Sequence, residues 1–157
     1  MSDAARLQRV YEAASDYFHL VGEGDPPPTV AERALVESAA IPDRHVMGIV
    51  LGDDLIGVLD FRLRYPAADT AFLGLILLVP AARGRGYGSL AMDIWETWLE
   101  VETPIQRVRL GVVAHNRRAI RFWLRRGYRF TGEAHRVAVG AAAPRVLMME
   151  KMLGEER

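Results

Sequence analysis

Between Leu73 and Met92 the chain changes character twice, and that succession limits what the rest can fold into. Leu73-Gly-Leu-Ile-Leu-Leu-Val79 is a seven-residue apolar run. The chain turns at Val79-Pro80, passes through Arg83-Gly84-Arg85-Gly86-Tyr87-Gly88-Ser89 and enters a segment with apolar residues at helical spacing. Apolar residues without polar alternation predict a strand buried on both faces. Glycines allow backbone angles that a Cβ forbids. The first amides of a helix have no intrahelical acceptor and attract negative charge. Strand, glycine loop and helix start together predict a site for an anionic, phosphate-bearing ligand.

At 157 residues the chain is expected to form a single domain over residues 1–157, with a core that needs no staples. The sequence has no cysteine, which excludes disulfides, thiolate metal sites and a cysteine nucleophile. No metal is expected. The first residues lack an apolar signal core and no run is long enough to span a bilayer, so no membrane partner and a cytoplasmic location are expected. Net charge is zero but uneven. Residues 1–70 carry 12 acids and 6 arginines, for −6, and residues 71–157 carry 8 acids, 13 arginines and Lys151, for +6. The glycine loop lies in the basic half, in agreement with anion binding.

Along the chain, Leu7, Val10, Tyr11, Ala14, Tyr17, Phe18 and Val21 predict one amphipathic helix over 4–21. Gly22 to Pro28 ends it, and Thr29 with Glu32 reads as a capping box opening a helix to Ala39. His45–Leu51 and Leu55–Tyr65 flank the turn Gly52-Asp53-Asp54, and the apolar run continues as a strand over 70–78. Leu90, Ala91, Ile94, Trp95, Trp98 and Leu99 form the predicted stripe of the helix after the loop. A strand Val108–Val113 precedes a helix with Asn116 as N-cap, Ala119, Ile120, Trp123 and Leu124 inward, and Gly127 at its close. Tyr128–Phe130, Val137–Val139 and Arg145–Leu153 complete the strands. The expected fold is α/β (α+β), a mixed, mostly antiparallel central sheet flanked by helices in the approximate order ααββββαβαββ.

Two motifs give this order a family. Arg83, Gly86 and Gly88 match the pattern Arg/Gln-x-x-Gly-x-Gly/Ala, and Asn116, Ala119, Phe122, Gly127 and Tyr128 match Asn-x-x-Ala-x-x-Phe-Tyr-x-x-x-Gly-Phe/Tyr. Their order and separation by one helix and one strand resemble the GCN5-related N-acetyltransferase (GNAT) superfamily over about Leu55 to Met152. The resemblance implies acetyl-coenzyme A (acetyl-CoA) as co-substrate. It places the pyrophosphate on the loop residues Arg83, Gly84, Arg85, Gly86, Tyr87, Gly88 and Ser89, and the pantetheine arm on backbone groups of Leu77, Leu78 and Val79. Asn116 would face that arm while capping its helix, and Ala119 and Phe122 would line the channel, although Phe122 also suits ordinary core. A homodimer paired through the last strands is compatible with the resemblance.

The implied reaction is N-acetylation: direct attack of a primary amine, from a small molecule or a peptide, on the acetyl thioester. Here the chain departs from the pattern. Trp123 stands where the family often has an acidic tyrosine, and Gly74 and Leu75 stand where a strand carboxylate is common. Asp60, on the polar side of its strand, and His115, at a strand end, are the candidate bases; the alternatives are an ion-pairing role for Asp60 and a loop histidine. Tyr87 reads as packing. His19, Glu23 and Asp25 border the loop that helps shape the acceptor pocket in this family. Arg117, Arg118, Arg121, Arg125, Arg126 and Arg129 read first as a solvated helix face, then as contacts to a coenzyme phosphate. Without interleaved aromatics, nucleic acid is not an expected partner.

Two other functions compete. Gly84-x-Gly86-x-x-Ser89 nearly matches a dinucleotide fingerprint, but the motif does not follow the first strand and the next strand ends in His115-Asn116 rather than an acid. A non-catalytic acyl-CoA-binding sensor with the same fold would account for the missing tyrosine and carboxylate.

Overall fold

The strand β3, Thr70–Leu78, lies in the middle of a six-stranded sheet ordered β1-β2-β3-β4-β6-β5. The computed structural model describes residues 2–138 and 143–154. Before β3 come α1 (Asp3–Ala13), α2 (Ser15–Leu20), α3 (Val30–Ala40), β1 (Arg44–Leu51) and β2 (Asp54–Leu63). After it come a 3-10 turn at Pro80–Ala82, α4 (Tyr87–Glu102), β4 (Arg107–Val113), α5 (Arg117–Arg125), β5 (Arg129–Arg136) and β6 (Arg145–Met152). Among the described residues only β3 and β4 pair in parallel; the other neighbours are antiparallel. The fold is the expected mixed, mostly antiparallel sheet flanked by helices, but three strands rather than four precede α4.

Phase along β3 is broken by a bulge. Asp60 faces Leu75 and Phe61 faces Leu73, which leaves Gly74 as the extra residue. Side chains alternate in a strand, so one extra residue exchanges the two faces. Ala71 and Leu73 accordingly join a core with α4 and α5 that includes Phe61, Trp95, Leu99, Trp123 and Tyr128. Leu77 joins a second core, on the opposite face, with Leu7, Val10, Tyr11 and Phe18 of α1 and α2 and Ala31 of α3. The bulge explains the unbroken apolar run: both faces of β3 are covered, by different helices.

Local expectations change where long-range partners intervene. The helix over 4–21 is two helices, interrupted at the fully buried Ala14 (φ −98°, ψ 27°). Thr29 makes no side-chain cap on α3; Gln8 of α1 instead accepts from the amide of Ala31 at 3.0 Å. The strand expected to reach Tyr65 stops at Leu63, because Arg64 turns to a φ of 54° and Tyr65 leaves the sheet. In α4 the buried positions are Met92, Trp95, Glu96 and Leu99, while Leu90 and Ile94 are exposed. In α5, Asn116 accepts from the amide of Ala119 at 3.2 Å, and Gly127 takes a φ of 91°, as their positions predict. Tyr128 is fully buried ahead of β5, the edge strand, which continues through polar residues with a register irregularity between Phe130 and Ala134, and Val137 lies beyond it. Val139 lies outside the described residues.

Candidate active site

Pairing of β3 with β4 stops after Leu73 and Leu110. Beyond that point β3 continues against β2 and β4 against β6, so the sheet opens like a wedge. The wedge is a cavity of about 960 Å³, walled by β3, β4, the start of α4, α5 and α2. Helix α2 spans its open end. Asp16 binds Arg83 beyond β3, and the carbonyl of Leu20 accepts from His115 Nε2, beyond β4, at 2.6 Å. The break at Ala14 lets α2 take this path.

Gly84 (φ 73°) and Gly86 (φ 84°) are both left-handed, and Gly86 is the N-cap of α4. That geometry suits glycine and turns successive amides toward one point. Among the described residues, no protein acceptor takes the amides of Gly84 to Ser89; the first bond across the junction runs from the Leu90 amide to Gly86. Six amides at the start of a 16-residue helix form a cradle for an anion.

The signature arginine does other work. Arg83 donates through Nε to the Leu78 carbonyl at 3.1 Å and through both Nη atoms to Asp16, at 2.5 and 3.0 Å. These bonds hold the Asp16 carboxyl below its usual range. Arg83 therefore fixes the loop to the end of β3. Arg126 fixes the other side, donating to the carbonyl and hydroxyl of Ser89 at 3.1 and 3.0 Å. It is not on a solvated face: it is buried and binds Asp93 and Glu96. Arg118 and Arg125 line the cavity, whereas Arg117 and Arg121 do not.

Of the residues expected to hold the coenzyme, Leu77, Leu78, Arg83, Gly84, Gly86, Tyr87, Gly88, Ser89, Asn116, Ala119 and Phe122 line this cavity; Val79 and Arg85 do not. The amide of Val79 is taken by the Ile56 carbonyl at 2.9 Å. Backbone direction alternates in an antiparallel ladder, so Val79, Leu77 and Leu75 bond toward β2 while Ile76 and Leu78 turn into the wedge. With the Leu78 carbonyl engaged by Arg83, the amide and carbonyl of Ile76 and the amide of Leu78 are the groups that β3 offers to a ligand.

Neither candidate base lines the wedge. His115 is exposed, and its Nε2 donates to the Leu20 carbonyl. Asp60 is held by Arg44, with bonds of 3.1 Å from Nε and 2.8 Å from Nη2. It lines a second cavity, of about 350 Å³, together with Arg44, Arg62, Tyr65 and Phe72. The two cavities share Gly74 and Leu75 at the bulge. His19 and Asp25 bind each other at 2.6 Å, and neither they nor Glu23 line either cavity. Trp123 lines the wedge, edge-on to Phe122 and Tyr128.

One polar residue in the wedge was hidden in the sequence. Tyr17 belongs to the apolar stripe of its helix and reads as core, yet it lines the cavity from α2. Burial, reinforced by the nearby charge of Glu23, raises its pKa and keeps the phenol protonated. Among the described residues no group of three His, Asp or Glu stands where it could hold a metal, and no helix is long and apolar enough to cross a membrane.

Comparison with known proteins agrees with this geometry. The model of the Acetyltransferase (GNAT) family matches residues 7–128. An acetyltransferase from Thermus thermophilus is similar over 96% of this chain and 91% of its own, with 29% identity and a TM-score of 0.81. The PaiA N-acetyltransferase of Thermoplasma acidophilum, solved in complex with coenzyme A, shares the fold at 17% identity and a TM-score of 0.71, over 96% of this chain and 92% of its own. The ribosomal-protein-S18-alanine N-acetyltransferase of Escherichia coli does so at 13% identity and a TM-score of 0.73, over 99% and 90%. No curated protein matches by sequence. A split parallel pair, an amide cradle at its mouth and an asparagine-capped helix along its side are thus found in a chain that belongs to the GNAT acetyltransferase family.

Proposed function

We propose that the protein is an acetyl-CoA-dependent N-acetyltransferase that acts on a primary amine by direct attack. The observation that carries this reading is the wedge between β3 and β4 with the amides of Gly84–Ser89 at its mouth. Acetyl-CoA bound there supplies an activated acetyl thioester. The cradle amides and Arg118 or Arg125 hold its phosphates, and the backbone of Ile76 and Leu78 holds its arm as an added strand would be held. A β3 amide within the wedge polarises the acyl carbonyl, where negative charge develops during attack.

The acceptor enters from the opposite face and meets the thioester beside Gly74 and Leu75. Asp60, on that face, takes the proton that the ammonium must lose before it attacks. Tyr17 is the proton donor for the departing thiolate, in place of the tyrosine that Trp123 replaces. The need for acetyl-CoA, an intracellular co-substrate, favours the cytoplasm.

Thermal melts with and without acetyl-CoA, followed by thiol release across an amine panel, test the reading. A ligand that binds only the native state raises its stability by mass action. A rise with acetyl-CoA, together with amine-dependent thiol release, is expected. Absence of any rise with acyl-CoAs overturns coenzyme binding; a rise without turnover makes the protein a sensor.

A further inference from the structure

The second cavity carries more information about the acceptor than its position. It is walled by Ile41, Arg44, Asp60, Arg62, Tyr65 and Phe72, and it reaches the bulge residues Gly74 and Leu75 that also line the wedge. Gly74 has no side chain, and a Cβ built there would come no nearer than 3.4 Å to the Asp60 carbonyl oxygen. The wall between the two cavities is therefore thin where they meet.

Charge in this cavity is carried by two neighbouring groups. Arg44 is shared by Asp60 and by Glu37, whose carboxylate is 3.5 Å from Nη1. Two carboxylates on one guanidinium leave that group net negative. Arg62 stands beside it, directly across the β1–β2 ladder from Arg44 and two residues along β2 from Asp60. Its guanidinium carbon lies 4.3 Å from the centre of the Tyr65 ring, and among the described residues it makes no ion pair. The nearby carboxylate of Asp43 is taken instead by Arg64, at 3.1 and 2.6 Å. Arg62 is half-buried and oriented by an aromatic face, with its hydrogen-bonding capacity open. Phe72, edge-on to Tyr65 at 5.9 Å, extends the apolar wall.

We infer that the second cavity binds the acceptor, and that the acceptor is a zwitterion: a free amino acid or a close analogue, with its primary amine within a few bonds of a carboxylate. The ammonium lies beside Asp60 and Gly74, and the carboxylate is held by Arg62. Asp60 and Arg62 are two residues apart on one face of β2, about 7 Å at the usual rise, a separation that an amino-acid head group with its bonded contacts spans. A cavity of about 350 Å³ suits a small molecule. A peptide N-terminus presents no carboxylate next to its amine, so Arg62 disfavours it. In the transfer, the neutral amine nitrogen bonds to the acetyl carbon as the carbon–sulfur bond breaks. One proton leaves the ammonium before attack and a second leaves the nitrogen afterwards, while the departing thiolate gains one; the products are an N-acetyl amino acid and free coenzyme A.

This inference rests on the acyl-transfer reading, and the experiment separates the two. Thiol release is followed with acetyl-CoA and the twenty free amino acids, each paired with its amide and, where available, its decarboxylated amine; L-phenylalanine, L-phenylalaninamide and 2-phenylethylamine form one set. The free acid is expected to have a kcat/KM at least about ten-fold above its partners, as losing one charge-assisted pair requires. R62Q is expected to raise KM for the free acid by about that factor, with kcat and the melting shift given by acetyl-CoA retained, and R62K to recover part of the loss. Equal turnover of acids and their amides, or an R62Q effect that is the same for both, overturns the zwitterion proposal and leaves the transferase standing. Turnover of the amides or amines without the free acids overturns the zwitterion proposal alone; no turnover with any member or with the wider amine panel overturns both.

Discussion

Asp16 holds both Nη atoms of Arg83, at 2.5 and 3.0 Å, across 67 residues of sequence. The arginine that opens the glycine loop is thus tied to the helix that spans the mouth of the wedge. The Asp16 side chain is 60% exposed, so the pair contributes only about 0.2–1 kcal/mol to stability. On the acyl-transfer reading the larger effect is on coenzyme binding, because the pair positions the loop. D16N is expected to raise KM for acetyl-CoA several-fold with little change in kcat. The hydrogen bond from Arg83 lowers the Asp16 pKa below the ordinary 3.8. The stabilisation is therefore present above that value and is lost as pH falls through the folded pKa. Melting temperatures of wild type and D16N should differ slightly at neutral pH and converge in acid; a gap that persists in acid refutes the assignment.

A second tie is buried. Glu96 is fully buried on α4 and receives Lys151 Nζ at 2.5 Å, Arg126 Nη2 at 3.1 Å and the Tyr128 hydroxyl at 3.2 Å. Removing one partner of a buried ion pair leaves the others uncompensated, at a cost of about 3–5 kcal/mol. E96A should lower the melting temperature by roughly 6–20 °C in a chain of this size. Because Arg126 also holds Ser89, residual folded E96A is expected to bind acetyl-CoA more weakly. A fall of under about 2 °C, below the range this size of loss implies, would contradict this account.

What was legible in the sequence was what neighbouring residues decide. The strand Thr70–Leu78 and the cap at Asn116 follow from contacts a few residues apart, and the structure has them where the sequence places them, whereas α4 starts at Tyr87, inside the expected loop, and takes Gly88 and Ser89 with it. Long-range partners were not legible. Glu96 reads as a surface acid until Lys151 and Arg126 arrive from 55 and 30 residues away. The cap of α3 comes from Gln8, 23 residues earlier, rather than from Thr29. The Gly74 bulge exchanges the faces of β3, but in a run of apolar residues a change of phase leaves no pattern to read.

Tyr17 separates chemistry from packing. Y17F keeps the ring and removes the proton. If the phenol protonates the leaving thiolate, kcat should fall about 100-fold with KM for acetyl-CoA unchanged, the lower end of what general acid catalysis supplies. The alkaline limb of the kcat profile should vanish in the variant. An unchanged kcat would return Tyr17 to a packing role.

Tyr11 offers a stability measurement without substrate. It is buried, and burial, followed by the charge of Asp60, raises its pKa from 10.0 to about 12. Because the unfolded chain loses this proton first, the stabilisation is intact below pH 10 and declines as pH rises toward 12. Two pKa units correspond to about 2–3 kcal/mol. Denaturant titrations between pH 9 and 12 should show a decline in wild type that is shallower in Y11F; parallel curves would exclude Tyr11 as its source.

Gly86 and Gly88 lie two residues apart where the loop becomes the helix, yet alanine should act on them in opposite ways. At Gly86 a Cβ has free space but the φ of 84° is one that alanine resists, so G86A should lose roughly 1 kcal/mol of stability and distort the amide cradle. At Gly88 the backbone is helical and a Cβ would make ordinary contacts, 3.6 Å from Leu78 and 3.8 Å from Phe122. Replacing a helical glycine gains about 0.5–1 kcal/mol, so G88A should melt higher than wild type when free of ligand. Both neighbours line the wedge, so the new methyl group occupies space the coenzyme arm would use. G88A should therefore show a smaller shift with acetyl-CoA despite its greater intrinsic stability. Melts of both variants, with and without acetyl-CoA, distinguish loop conformation from channel width; a full ligand shift in G88A would move the arm away from this part of the wedge.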